Sequence, residues 1–190
     1  MDKPTFCVIA GPNGSGKSSF AKTQSLPSID ADAIAAELRP DTPIAAAVAA
    51  GREATRRARE FLRLRQSFCR ETTLAGATIL KLMELARQNE FRVVLIYMGL
   101  DGAETSRLRV TSRVAAGGHD VPLADIRRRY PRSLANLAKA VALADASLIF
   151  DNSRSYLPLA EIQHGNFIRL AEKLPDWLLG ALPEFVGSVA

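Results

Sequence analysis

The chain has 190 residues, of which 47% are hydrophobic and 24% charged, with a formal net charge of +5. That is the size and balance of one globular domain able to bury a substantial core. No apolar run approaches the roughly 20 residues of a membrane span, so a membrane protein is excluded, and the basic excess suits an anionic ligand.

Taken in order, residues 5–10 (TFCVIA) form a short apolar run that predicts a buried strand, and residues 17–23 begin a helix. A brief strand over 26–30 and a short helix over 32–38 follow, and Pro40 and Pro43 break the pattern. Residues 42–66 predict a long helix, Ala-rich and then Arg-rich, with a kink or boundary possible at Gly51. Next come a strand over 67–74, an amphipathic helix over 77–88 and the near-continuously apolar strand 91–100, whose pattern fits a sheet covered on both faces. Residues 103–116 read as a helix ending at the Gly117-Gly118 pair. Residues 121–143 read as another, kinked at Pro131, and 146–151 as a last buried strand. Beyond it the spacing predicts a strand over 159–163 and helical turns over 166–174 and 175–182. Strands alternating with helices of this length predict one α/β domain over 1–190, a parallel sheet with right-handed crossovers and its ligand at the carboxyl ends of the strands.

GPNGSGKSS, Gly11 to Ser19, organises the rest. Gly11, Gly16, Lys17 and Ser18 satisfy G-x-x-x-x-G-K-[ST] between a predicted strand and a predicted helix. The loop through Asn13, Gly14, Ser15, Gly16 and Ser19 is expected to wrap phosphate oxygens with its backbone N–H groups, at angles that glycine reaches cheaply. Lys17 would aim a cation at the β- and γ-phosphates, and Ser18 would ligate Mg²⁺. The motif points to a nucleoside triphosphate.

Three other strand ends and loops carry polar groups. In Asp30-Ala31-Asp32, Asp32 either takes a proton from an attacking hydroxyl or caps the next helix, and the two roles are compatible. In Arg70-Glu71-Thr72-Thr73, the glutamate at a buried strand tip needs a substrate or a salt bridge, to Arg70 or to the Arg-rich helix. The segment from Arg113 through Gly117, Gly118, His119 and Asp120, with Arg127, Arg128, Arg129 and Arg132 beyond, reads as a hinged lid that could bring arginine to a triphosphate. Arg52, Arg56, Arg59 and Arg63 fall at helical spacing with no interleaved aromatic, so they read as a solvated face rather than a nucleic-acid surface. Cys7 and Cys69 read as buried free thiols rather than a disulfide or metal site. The N-terminus runs directly into the first strand, so no signal peptide is expected and a cytoplasmic location is.

GPNGSGKSS, IDADAIAAEL, AAGREA, SFCRETTLAG, RVAAGGHDVP with IRRRY, and FDNS together resemble the zeta-toxin-like P-loop kinases, over residues 5–153. The resemblance implies an adenylate-kinase-like three-layer fold, with helices on both faces of a parallel sheet and a small helical lid at about 103–132. Residues 154–190 are left as an appendage. It also implies an ATP- and Mg²⁺-dependent kinase that phosphorylates a sugar hydroxyl of UDP-N-acetylglucosamine and is held in check by an antitoxin. On that pattern Asp32 is the base, and Glu71 and Thr73 hold the sugar nucleotide. Glu53 matches a second substrate-binding acid, Arg113 a lid arginine, and Asn152 the approach to adenine. The second lid cation falls at His119 or its neighbours, so His119, Arg128 or Arg129 would supply it. Another acceptor (an antibiotic, nucleoside or metabolite) and a nucleotide-dependent ATPase or binding module for nucleic acid or protein are the other readings.

Overall fold

The chain alternates β1 (Thr5–Ala10), α1 (Lys17–Ala21), β2 (Ser28–Ile29), α2 (Ala31–Leu38), α3 (Pro43–Arg63), β3 (Phe68–Thr72), α4 (Ala77–Gln88) and β4 (Arg92–Gly99). It continues through α5 (Ala103–Ala115), α6 (Leu123–Ala135), α7 (Leu137–Leu143), β5 (Ala146–Asp151), β6 (Leu157–Gln163), β7 (Asn166–Leu170) and α8 (Asp176–Ala181). The computed structural model describes residues 3–38, 43–118 and 120–183.

The strands form one sheet in the order β2-β3-β1-β4-β5-β6-β7. The first five are parallel, as each β-α-β crossover requires, and β1 is at their centre. Ala10 pairs with Thr72 and Tyr97, so β1 and β3 end level with one another below the phosphate loop while β4 runs on to Gly99.

Alternation on these strands divides the interior in two. Phe6, Val8, Phe68, Val93, Leu95 and Tyr97 face α3, α4, α7 and α8 in the larger cluster. There Phe68 stacks between Phe6 and Phe61, at 4.5 and 5.0 Å between ring centroids, which fixes α3 on the sheet. Cys7, Ile9, Cys69, Ile96 and Met98 face the other way, under α1 and Leu26. Cys7 and Cys69 are buried free thiols, as their apolar setting suggested.

Several elements differ from the sequence reading. The parallel sheet continues into an antiparallel pair, β6 and β7, so it is mixed. Residues 166–170, expected as helical turns, form β7, because pairing with β6 overrides a weak local preference. Together with α8, whose Trp177 and Leu178 enter the larger core, they make residues 157–181 part of the sheet and its packing. The helix expected over 121–143 divides at Asn136 and keeps Pro131 inside α6. Gly51 does not interrupt α3. The described residues contain no helix long and apolar enough to cross a membrane.

Candidate active site

β1 hands the chain to a loop whose glycines adopt positive φ: 142° at Gly11, 73° at Gly14 and 92° at Gly16. At Gly16 space makes the same demand, since a Cβ there would lie 2.5 Å from the Tyr156 hydroxyl and 2.8 Å from Asn152 Nδ2. The loop is held from behind by three side chains from two later segments, α5 and the turn between β5 and β6. Ser106 Oγ donates to Asn13 O, Asn152 Nδ2 to Ser15 O at 3.0 Å, and the Tyr156 hydroxyl to Gly16 O at 2.9 Å. Ser15 Oγ is buried with no hydrogen-bond partner among the described residues, a donor left over inside the loop. These open amides and that donor fit a chain of phosphates. Ser19, in the first turn of α1, is exposed and borders a small cleft of about 230 Å³ with Phe20, Phe150 and Tyr156.

Lys17 Nζ donates across the loop to Pro12 O at 2.8 Å. Burial pulls its pKa from 10.5 to about 8, opposed by the charges of Glu71, Asp32 and Asp30 and assisted by Arg113. Four groups from three segments thus act on one ammonium. Ser18 Oγ donates to Glu71 Oε2 at 2.8 Å. Desolvation first, then Asp30, raises the Glu71 pKa, while Ser18 and Lys17 pull it back. The salt bridges considered for Glu71 are not made among the described residues: Arg70 faces the other side of the sheet and reaches Thr55 Oγ1 at 3.4 Å.

Asp32 lies exposed in the first turn of α2. The cap of that helix is Asp30, whose Oδ1 accepts from Asp32 N–H at 2.9 Å. The Asp30 pKa is raised by desolvation, against the pull of that hydrogen bond. Relieved of capping, the Asp32 carboxylate is exposed, and its charge acts on Lys17.

The other expected residues make the following contacts. Glu53 accepts from Arg56 at 2.8 Å and Arg57 at 2.9 Å on its own helix, and those hydrogen bonds hold its carboxyl down at about 2. Thr73 sits half-buried just beyond β3. Asn152 spends its side chain on the loop backbone. Arg128 and Arg129 both turn to Asp125, at 2.6 and 3.0 Å. His119 lies outside the described residues. The Gly117-Gly118 pair ends α5, as the sequence suggested. Gly118 N–H donates to Arg113 O and Gly117 N–H to Val114 O, both at 2.9 Å, with Gly117 at φ 83°. That is a Schellman cap, and it fixes the turn that carries Arg113.

Sequence reasoning missed Asp30 as the cap, and Ser106, Arg109 and Tyr156 as supports. Arg109 donates to Ser153 O at 3.1 Å and so ties α5 to the turn after β5. Ser106 and Arg109 stand three apart on one helix face, which is the signal that was available.

A phosphate loop after the central strand of a parallel sheet, with acids at the neighbouring strand ends, defines a P-loop kinase fold. The chain is 36% identical over 123 residues to an uncharacterized protein of Haemophilus influenzae, covering 63% of this chain and 88% of that one, and it belongs to the same family. No family model matches it. Among solved structures it is similar to the PezAT chromosomal toxin–antitoxin system of Streptococcus pneumoniae (TM-score 0.63, 13% identity, covering 100% of this chain and 88% of that one). It is also similar to AvrRxo1-ORF1:-ORF2 with ATP (0.71, 15%, 98% and 63%). A third is a Chloroflexus aurantiacus protein proposed to be a kinase (0.55, 18%, 68% and 78%). The likeness to these three proteins is one of fold, a P-loop kinase fold.

Proposed function

We propose that this protein is an ATP- and Mg²⁺-dependent kinase that transfers the γ-phosphate to a hydroxyl of a small molecule, a UDP-sugar such as UDP-N-acetylglucosamine being the first candidate. The observation that carries the reading is the contact between Ser18 and Glu71 beside Lys17, within the electrostatic reach of Asp32. The structure with ATP supports the nucleotide by likeness of fold. The loop amides and Lys17 would hold the triphosphate, and Ser18 with Glu71 would hold Mg²⁺, which supplies neutralising charge on the phosphate oxygens.

Asp32 takes the proton of the acceptor hydroxyl as its oxygen bonds to the γ-phosphorus, and the bond to the β,γ-bridging oxygen breaks to release ADP. Lys17 and Arg113 offset the charge that develops, with α5 and α6 (about 103–132) acting as the lid. Thr73 and Glu53 are assigned to the acceptor, and Asn152 to the adenine side through the loop it supports. The PezAT likeness motivates an antitoxin as protein partner.

The test is transfer of label from γ-labelled ATP to UDP-N-acetylglucosamine, other UDP-sugars, nucleosides and chloramphenicol, with Lys17→Ala as blank. A labelled UDP-sugar that disappears in the blank is expected. Label reaching only water would overturn the reading.

A further inference from the structure

The arginine face of α3 borders a groove of about 810 Å³ between α3, α4 and β3. Arg52, Arg56, Arg59 and Arg63 line its wall over about 17 Å of helix, against a single carboxylate, Glu60. Arg56 turns to Glu53 and Arg63 to Glu60, at 2.8 and 2.7 Å, whereas Arg52 and Arg59 carry no ion pair among the described residues. Such a row alone is an ordinary solvated face.

The floor is different. Arg70 enters the groove from β3 and is only 8% exposed. Its Nη2 reaches Thr55 Oγ1 at 3.4 Å, and its Nη1 is buried with no hydrogen-bond partner among the described residues. No carboxylate among them forms a salt bridge with it. A guanidinium does not escape burial by losing its proton, so a buried one lacking a counter-ion is unfavourable until an anion arrives. Gly51, on the same wall, has nothing within 4 Å of where a Cβ would stand, so the way in is open.

We propose that this groove is a second phosphoanion site, separate from the P-loop, which takes the mono- or diphosphate of a small molecule on Arg70 with Arg52 and Arg59 beside it. Its volume is that of a small-molecule site, and no aromatic side chain lines it for nucleobases to stack on. Arg70 and Glu71 are successive on β3 and face opposite sides of the sheet, so one strand serves both centres. The phosphate belongs either to the far end of the acceptor or to a separate effector.

Binding of inorganic pyrophosphate, followed by calorimetry at fixed ionic strength, tests the site in Lys17→Ala protein, where the P-loop is disabled and kinase activity is irrelevant. Saturable binding is expected, weakened about tenfold by adding Arg70→Met and about threefold by adding Arg59→Ser. Arg70→Met should melt no lower than its parent, because it removes an uncompensated buried charge. Should that variant fail to fold, Arg59→Ser and Arg52→Ser on the exposed wall carry the test. No saturable binding, equal affinity in all variants, or binding of a single-stranded oligonucleotide but not pyrophosphate would each overturn the proposal. In the active protein, a raised KM for a UDP-sugar in Arg59→Ser assigns the phosphate to the acceptor. An unchanged KM with weakened pyrophosphate binding assigns it to an effector.

Discussion

Ser18 Oγ and Glu71 Oε2 stand 2.8 Å apart and tie the phosphate loop to the tip of the neighbouring strand. Glu71→Gln keeps the shape and removes the charge. The Mg²⁺ concentration for half-maximal rate should rise at least about tenfold, measured as initial rate against Mg²⁺. An unchanged requirement would free Glu71 to serve the acceptor.

The same carboxylate has a stability signature. The Glu71 pKa is raised above its ordinary 4.5, so the folded chain holds its proton more tightly than the unfolded one. The stability gained is complete below 4.5 and is lost as pH rises through the folded value. Thermal melts should therefore decline between pH 4.5 and neutrality, and Glu71→Gln should flatten part of that decline. An identical slope in wild type and variant would contradict the burial cost.

Lys17 titrates in the opposite sense. With its pKa lowered to about 8, the free protein loses this cation as pH rises through that value, so ATP affinity should fall above it. The folded state gains from the neutral amine instead, so Lys17 contributes stability above 10.5 that is lost as pH falls through about 8. ATP titrations at pH 7 and 9 check the binding arm, and Lys17→Arg, charged throughout, should show no such change.

Asp32→Asn should lower turnover by roughly 10²–10⁴-fold while ATP still binds. Asp30→Ala is the control, since it removes the α2 cap and should cost about 1 kcal/mol of stability, read in denaturant. Near-wild-type turnover of Asp32→Asn would remove it as the base.

Tyr156→Phe deletes the hydrogen bond to Gly16 O and should cost about 1 kcal/mol, with a weaker ATP affinity as the loop loosens. Asn152→Ala, which strips a buried partner from Ser15 O, should cost about 1–3 kcal/mol. Equal ATP affinity in both variants would show that the loop holds its shape unaided.

The parallel core and the loop were legible because each has a local cause: continuous apolarity in β4, and glycines at positions demanding positive φ in the loop. The acids at the ends of β2 and β3 followed from topology. What the sequence hid was long-range. Nothing near Asn166 announces a strand, because β7 exists through pairing with β6. Asp30 and Asp32 are interchangeable as caps until the backbone shows which one starts the helix. Arg70 read as a salt-bridge partner for Glu71, and only the alternation of β3 turns it to the opposite face of the sheet, where it is buried.

The grip of Tyr156 and Asn152 on the loop has a consequence during synthesis. Gly16 and Ser15 await partners 140 and 137 positions downstream, so a nascent chain on the ribosome carries the whole motif long before the cradle is finished. Nucleotide affinity should thus be acquired only once Tyr156 has left the ribosome, and an N-terminal fragment ending before Asn152 should bind ATP poorly although every residue of its signature is present.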